Sequence, residues 1–449
     1  MTRNYKELMK ALSVGLLGIV IGGTVVYFMF LPSPVTSCTS KQYVSNDNIS
    51  LGDKILVKED RNPSKEAGVK SLADGYCTDA IQKFNDSLKI NRNDPETLIY
   101  LNNAKARLRA ARLKIGVSVP IGSNSNVAKE ILRGVAQAQD EENHDNGING
   151  KLLEVEIAND NNLYTLAQNV ATQFVDDSSL LAVVGHNASE ASLSAAPVYQ
   201  ANGLVMISPT SFALDPKDIG NYIFRIVPSS DVLALTLFNY ISSKNPKANI
   251  AICFDSKSSE AGSFKIAFEE AIKNAGRKVN LISCDFSAPT FNPSLIISQA
   301  INNGADSLLL FPHVDRIDKA LDLVHANQVS KRPLDLFGNS TLYTYQTLKD
   351  GKANVNGMIL VVTWFPSDKL FRTNPERIWG GRVTWRTAMA YKATQEIITG
   401  LKQSSTREGL QQFLQRQDLG NGSNSKPILV KVSQKSTTET GYEFTQLSP

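Results

Sequence analysis

LKIGVSVPIGSNSNVAKEILRGVAQAQDEENHDNGINGKLLEVEI, residues 113–157, is the stretch on which the fold turns. Leu113–Val119 is a short apolar run of the kind that a strand covered on both faces requires. From Asn126 the spacing changes, so that Val127, Ile131, Val135 and Ala138 share one face of a helix, and Leu152–Ile157 starts a second apolar run. Strand, amphipathic helix and strand in that order predict a parallel βαβ unit.

The unit repeats downstream. Leu166, Val170 and Phe174 share a helical face, Leu181–Val184 and Leu204–Ile207 read as strands, and a helix spans 191–200 between them. A second series opens near Asp231, with strands at Asn249–Phe254, Val279–Ser283, Ser307–Phe311 and Leu334–Phe337. Helices carrying Phe264, Phe268 and Ile272, then Ile297 and Ile301, then Ile317, Leu321 and Val324 separate them. Two doubly wound series in succession predict two α/β lobes. A return strand at Met358–Val362 and helices at Thr387–Leu401 and Thr406–Gln415 predict a chain that crosses back to the first lobe. The expected domain is 112–449, with lobe 1 at about 112–232 and 357–425 and lobe 2 at about 233–356 and 426–445.

Upstream, Arg3, Lys6 and Lys10 precede the uncharged run ALSVGLLGIVIGGTVVYFMFL at 11–31. A helix rising about 1.5 Å per residue crosses the hydrocarbon core with about 20 such residues. The basic flank stays on the cytoplasmic side, so 1–31 is expected to be a cytoplasmic tip and single-pass anchor in a bacterial cytoplasmic membrane, with the remainder extracytoplasmic. Residues 32–62, rich in Ser, Pro, Asn, Asp and Lys, read as a stalk with a short strand within Ile49–Val57. Val35–Cys38 (VTSC) resembles a lipoprotein lipobox, which would make Cys38 a lipidation site; either that or the helix ties the chain to a membrane.

Residues 63–111 turn helical. Gly68, Leu72, Gly75, Ala80, Ile81, Phe84 and Leu88 match the small and large positions of one tetratricopeptide repeat, and Asp94–Leu108 resembles the first helix of a second. One and a half repeats are too few for a free solenoid, so the segment either packs on the α/β region downstream or acts as a spacer.

Several function classes are excluded by composition and motif. Lys+Arg at 47 against Asp+Glu at 43 leaves +4 without a basic stripe, which argues against a nucleic acid partner. The sequence holds no HExxH, GxSxG or GxxxxGK[ST] and no paired cysteine spacing, so neither an enzyme, a cofactor nor a metal is expected. Cys253 and Cys284 end two neighbouring strands and are either a disulfide or two small buried hydrophobes, while Cys77 reads as a helical packing position.

From about 113 to 445 the sequence resembles the leucine/isoleucine/valine-binding family of type I periplasmic binding proteins. IGVSVPIG at 115–122, NGINGK at 146–151, VVGHNASEAS at 183–192, GLVMISPTS at 203–211 and FRIVPSSD at 224–231 carry the likeness by their order and spacing. It implies two lobes joined by hinge crossovers, with a small polar solute (an amino acid, amide or related molecule) held between them for an ABC permease. It also implies that Ser189 holds a ligand carboxylate, Ser189 being equally placed to cap its helix, and that Thr210, Ser211 and Phe212 fall on the loop that engages an amino group. The family's two second-lobe aromatics fall on Ser259 and His313, and its ammonium-balancing acid on Ser340. Loss of that acid argues against an α-amino acid bound in the usual way, unless Glu260 or Asp255 compensates. His186 reads as a loop hydrogen-bonder. The alternative is a sensory or scaffold ectodomain that uses the cleft and the helical segment to bind a protein partner.

Overall fold

The computed structural model describes residues 16–21, 24–29, 38, 47–277, 279, 282–366, 378–380, 383–417, 419 and 426–447. Leu16–Ile21 (β1) and Thr24–Met29 (β2) pair as an antiparallel hairpin with Ile21 opposite Thr24, not as parts of a helix. Gly22 and Gly23 between two Val- and Ile-rich runs are the sequence signal of a two-residue hairpin, and a uniformly apolar run carries no periodicity to decide between strand and helix. Among the described residues no helix is long and apolar enough to cross a membrane.

The expected stalk joins the folded body from residue 47. Ile49–Ser50 (β3) pairs antiparallel with Ile157–Ala158, and Leu51 and Val57 are buried. The carboxylate of Glu96 accepts the backbone N–H of Leu56 at 2.7 Å and of Val57 at 3.3 Å, which fixes this extended segment against the next three helices. Those helices are Pro63–Ala73, Cys77–Ile90 and Pro95–Arg107. Gly68 lets the first two approach, since a Cβ there would lie 2.7 Å from the Phe84 ring. The third is buried along nearly its whole length: Asn103 donates to the Val155 carbonyl at 2.8 Å and accepts its N–H at 2.9 Å, and Arg107 pairs with Glu154 at 3.0 Å. The helical segment is therefore a layer on the first lobe rather than a spacer.

The first lobe is built on Arg112–Val119 (β4), Leu152–Asn159 (β5), Leu180–Val184 (β6), Val205–Ser208 (β7) and Ile223–Arg225 (β8). Its order is β3-β5-β4-β6-β7-β8, parallel except at β3. The second lobe is ordered β14-β13-β12-β11-β10-β9. These are Ile250–Phe254 (β9), Ser307–Phe311 (β10), Asp335–Gly338 (β11), Ile359–Val362 (β12), Ile428–Gln434 (β13) and Tyr442–Gln446 (β14). The return strand β12 thus belongs to the second sheet, parallel to β11, and the crossing comes after it. Beyond the crossing, Trp385–Gln403 lies along Ser125–His144 in the first lobe. Gly134 is required there, because a Cβ would collide with the Thr387 carbonyl.

Two cysteine expectations change. Cys38 is bonded to Cys77 with Cα atoms 5.8 Å apart, so its sulfur is not free to carry a lipid thioether and Cys77 is more than a packing residue. Cys253 is bonded to Cys284 with Cα atoms 4.7 Å apart. Among the described residues of the expected strand 279–283 none is in a strand; the sheet edge there is met only by a parallel bridge between Phe254 and Asp285.

Candidate ligand cleft

The strand order of the first lobe reverses between β4 and β6, and in open α/β sheets ligands bind beyond the strand ends at such a switch point. Gly185 leaves β6 at φ +140 with its Cα side against the Ser118 backbone, where a Cβ would lie 2.7 Å from the Ser118 oxygen. The next residue anchors the loop inward. His186 is fully buried, its Nδ1 2.6 Å from Asp160 Oδ2 and its Nε2 3.1 Å from the Tyr199 hydroxyl. Burial pushes Asp160 up, but His186, the Asn162 N–H and the Ser118 hydroxyl at 2.8 Å hold it below the usual carboxylate range. The His186 carbonyl accepts the Ser208 and Ser192 hydroxyls, which ties this loop to β7.

That anchoring presents Asn187, Ala188, Ser189 and Glu190 to a cavity of about 30 Å³, room for one or two waters. Thr210 completes the first-lobe wall and donates to the Asn187 carbonyl at 2.8 Å. The second lobe supplies Ser258, Glu260, His313, Val314 and Thr341. Ser258 caps its helix by accepting the Ala261 N–H at 3.3 Å, and Thr341 donates to Glu260 at 3.3 Å. Trp385 and Arg386, from the start of the crossing helix, complete the lining. The lobes touch directly, for the Ser259 N–H donates to Glu190 Oε1 at 2.5 Å and Asn124 to Asp315 at 3.4 Å.

The wall is amphoteric. Desolvation raises the Glu260 carboxyl to about 7, despite Arg386 and His313 nearby. Burial pushes His313 down, but the carboxylates of Asp315, Glu260 and Glu190 together hold it above its ordinary value. Among the described residues no cluster of His, Cys, Asp or Glu is arranged to hold a metal ion.

Residues 112–426, most of the chain, match the sequence family described as "Periplasmic binding protein". The chain belongs to that family. It is a family of solute-binding proteins rather than enzymes. An amino acid binding protein of Pseudomonas aeruginosa is 30% identical over 147 residues, 32% of this chain and 39% of that one. The chain thus spans about two fifths of the length of that curated relative. Among solved structures, an ABC transporter substrate-binding protein from Desulfitobacterium hafniense in complex with Leu superimposes with a TM-score of 0.61 at 20% identity, over 74% of this chain and 100% of that one. A solute-binding protein from Rhodopseudomonas palustris in complex with 3,4-dihydroxy benzoic acid gives 0.62 at 15% identity, over 75% and 96%. At these identities the likeness is one of fold.

In this binding protein the residues expected from sequence divide. Ser189, Thr210 and His313 line the cavity. Ser211 is buried behind it and donates to Ser189 at 3.1 Å; Phe212 packs on Trp385 with ring centroids 5.6 Å apart; Ser340 is buried and donates to the Val361 carbonyl at 3.4 Å. Ser259 contributes its backbone N–H to Glu190 and is not among the lining residues. Ser189 does not cap its helix, whose N-cap is Ala188 without a side-chain bond; its hydroxyl accepts instead from Ser211 and from the Ala213 N–H. Of the two acids offered as compensation, Asp255 is bound to Arg316 at 2.6 Å, and Glu260 is in the cavity. Sequence reasoning missed Asn187, Glu190, Thr341, Trp385 and Arg386. Glu190 was readable, since it stands in the first turn of a helix just after a strand end; the last two sit on a helix whose start carries no cleft signal.

The raised Glu260 carboxyl has a measurable consequence. A folded value near 7 against an ordinary 4.5 means the contribution to stability is complete below 4.5 and is lost as pH rises through about 7. Glu156, raised to about 7 by burial beside Lys114, acts in the same window. The solute-free protein is expected to melt lower at about pH 8 than at about pH 5, and Glu260→Gln to flatten part of that slope. An unchanged slope in Glu260→Gln would place this carboxyl in open water.

Proposed function

We propose that the chain is the membrane-tethered, extracytoplasmic solute-binding component of an ABC-type uptake system, which takes a small polar solute of the amino acid, amide or related class between its lobes. The observation that carries this reading is the amphoteric cavity at facing strand ends, walled by Glu190 on one lobe and by Glu260 and His313 on the other. A zwitterion or polar amide meets a partner for each end there. Two disulfides and no free cysteine among the described residues suit an oxidising compartment. What supports tethering is the sequence alone, an uncharged run at 11–31 behind three basic residues, part of which pairs as the hairpin β1–β2. The lobes touch beside the cavity through Ser259 and Glu190, and a solute that favours this closed arrangement holds it shut. Permease subunits are the partners this role requires.

A thermal-shift screen of the full chain in detergent against amino acids, amides and small organic anions tests it. A binder at about 100 times its dissociation constant stabilises by about 2.7 kcal/mol. A melting curve that no candidate moves counts against a small-solute role.

A further inference from the structure

Arg386 is 6% exposed, yet its Nε has no hydrogen-bond partner, and the Nε1 of Trp385, a residue 2% exposed, has none either. Both side chains line the cavity. Leaving a buried donor unpaired is costly, more so on a charged group, and such atoms in a concave site mark where a bound group completes them. The surroundings of Arg386 satisfy it only in part. Glu130 Oε2 stands 3.5 Å from Nη1, longer than a charge-assisted hydrogen bond, and the guanidinium lies 4.6 Å from the Trp385 ring centroid, which fixes its plane. Both residues occupy the first turn of Trp385–Gln403, where unpaired peptide N–H groups and the helix dipole favour an anion. On the first lobe the Thr210 hydroxyl is spent on the Asn187 carbonyl, while the Ser189 hydroxyl, which accepts from Ser211 and Ala213, keeps its own O–H as a neutral donor beside the charged one of Arg386.

The geometry points to Arg386, assisted by the Trp385 indole N–H, as the group that binds a carboxylate of the solute from the crossing helix. This rests on the cleft being a solute site and narrows the solute to a small carboxylate-bearing molecule. Two kinds of molecule share that chemistry. An amino acid sets its ammonium against Glu260 and Glu190, whereas a plain aromatic acid brings them no cation of its own and leaves His313 as their counter-charge.

The test is calorimetric titration of the full chain in detergent with leucine, leucinamide, 4-hydroxybenzoate and acetamide. Leucine or 4-hydroxybenzoate is expected to bind while leucinamide and acetamide do not at the same concentration, and which acid binds separates the two kinds of solute. Arg386→Gln is expected to weaken the bound acid on the order of 100-fold, and Arg386→Lys, which keeps the charge without the fork, to recover part of it. If Arg386→Gln does not fold, Trp385→Phe deletes one donor and keeps the ring, with a loss on the order of tenfold expected. Leucinamide or acetamide binding as tightly as the acids, or full affinity in Arg386→Gln or Trp385→Phe, overturns the inference and leaves solute binding standing. Silence from every probe counts against both.

Discussion

Lys65→Ala is expected to destabilise the protein by about 3–5 kcal/mol, the range for removing one partner of a buried ion pair. The Lys65 ammonium lies 2.8 Å from Asp94 Oδ2 and 2.8 Å from Glu96 Oε2, and all three side chains are fully buried. Burial pushes the lysine down, but Glu96 and Asp94 more than offset it and hold it above its ordinary value, so the ammonium stays charged. Each carboxylate also holds the backbone in place. Asp94 accepts the Thr97 N–H and hydroxyl at the helix start, and Glu96 accepts the Tyr100 hydroxyl and the N–H groups of Leu56 and Val57. Without the ammonium, two desolvated carboxylates face each other in the seam between the helical layer and the extended segment. Lys65→Met fills the space and is expected to lose nearly as much, because the uncompensated charge and not the missing volume dominates. Denaturant melts read the loss; a change below about 1 kcal/mol, the scale of an exposed pair, would mean that water reaches the triad.

Replacing Cys253 and Cys284 together by serine is expected to cost about 3–4 kcal/mol, the chain-entropy value for a loop closed across a sequence separation of 31. The bridge matters beyond its entropy because β9 is an edge strand. The segment beyond it contacts that edge through the Phe254–Asp285 bridge, with the Phe286 N–H donating to the Phe254 carbonyl at 2.9 Å. Asp255, Ser258 and Glu260 come directly after β9, and the last two form part of the second-lobe wall, so solute affinity is expected to fall along with stability. Paired melts and titrations of the double variant, with reduced wild type as the control, check both. Unaltered melting would show that the edge holds without its covalent tie.

The lobes were legible because parallel strands covered on both faces leave continuous apolar runs, as at Ile115–Val119 and Leu308–Phe311, each succeeded by a helix with one apolar face. What such runs do not encode is partnership. Ile359–Val362 reads as a strand in either lobe, and only its register beside Phe337 and Gly338 assigns it to the second sheet. Val279–Ser283 carries strand residues, yet its described members, 279, 282 and 283, are in no strand. At the site, Ser189, Thr210 and His313 were legible as residues just beyond strand ends. Ser340 and Ser259 do not line the cavity, and their neighbours Thr341 and Glu260 do, because a shift of one residue exchanges one side chain for the next. Arg386 and Trp385 escaped notice because their role depends on the crossing, a long-range feature with no local pattern.

Hydrogen exchange of the full chain, with and without a saturating solute from the thermal-shift screen, tests most directly whether the two lobes enclose it. Protection is predicted to rise together at Asn187–Glu190, at Ser258–Glu260 and at the start of the helix Trp385–Gln403, since closure stabilises both walls at once. Protection confined to one lobe, or centred on the helical layer Pro63–Arg107 while these three segments exchange as before, would contradict the account.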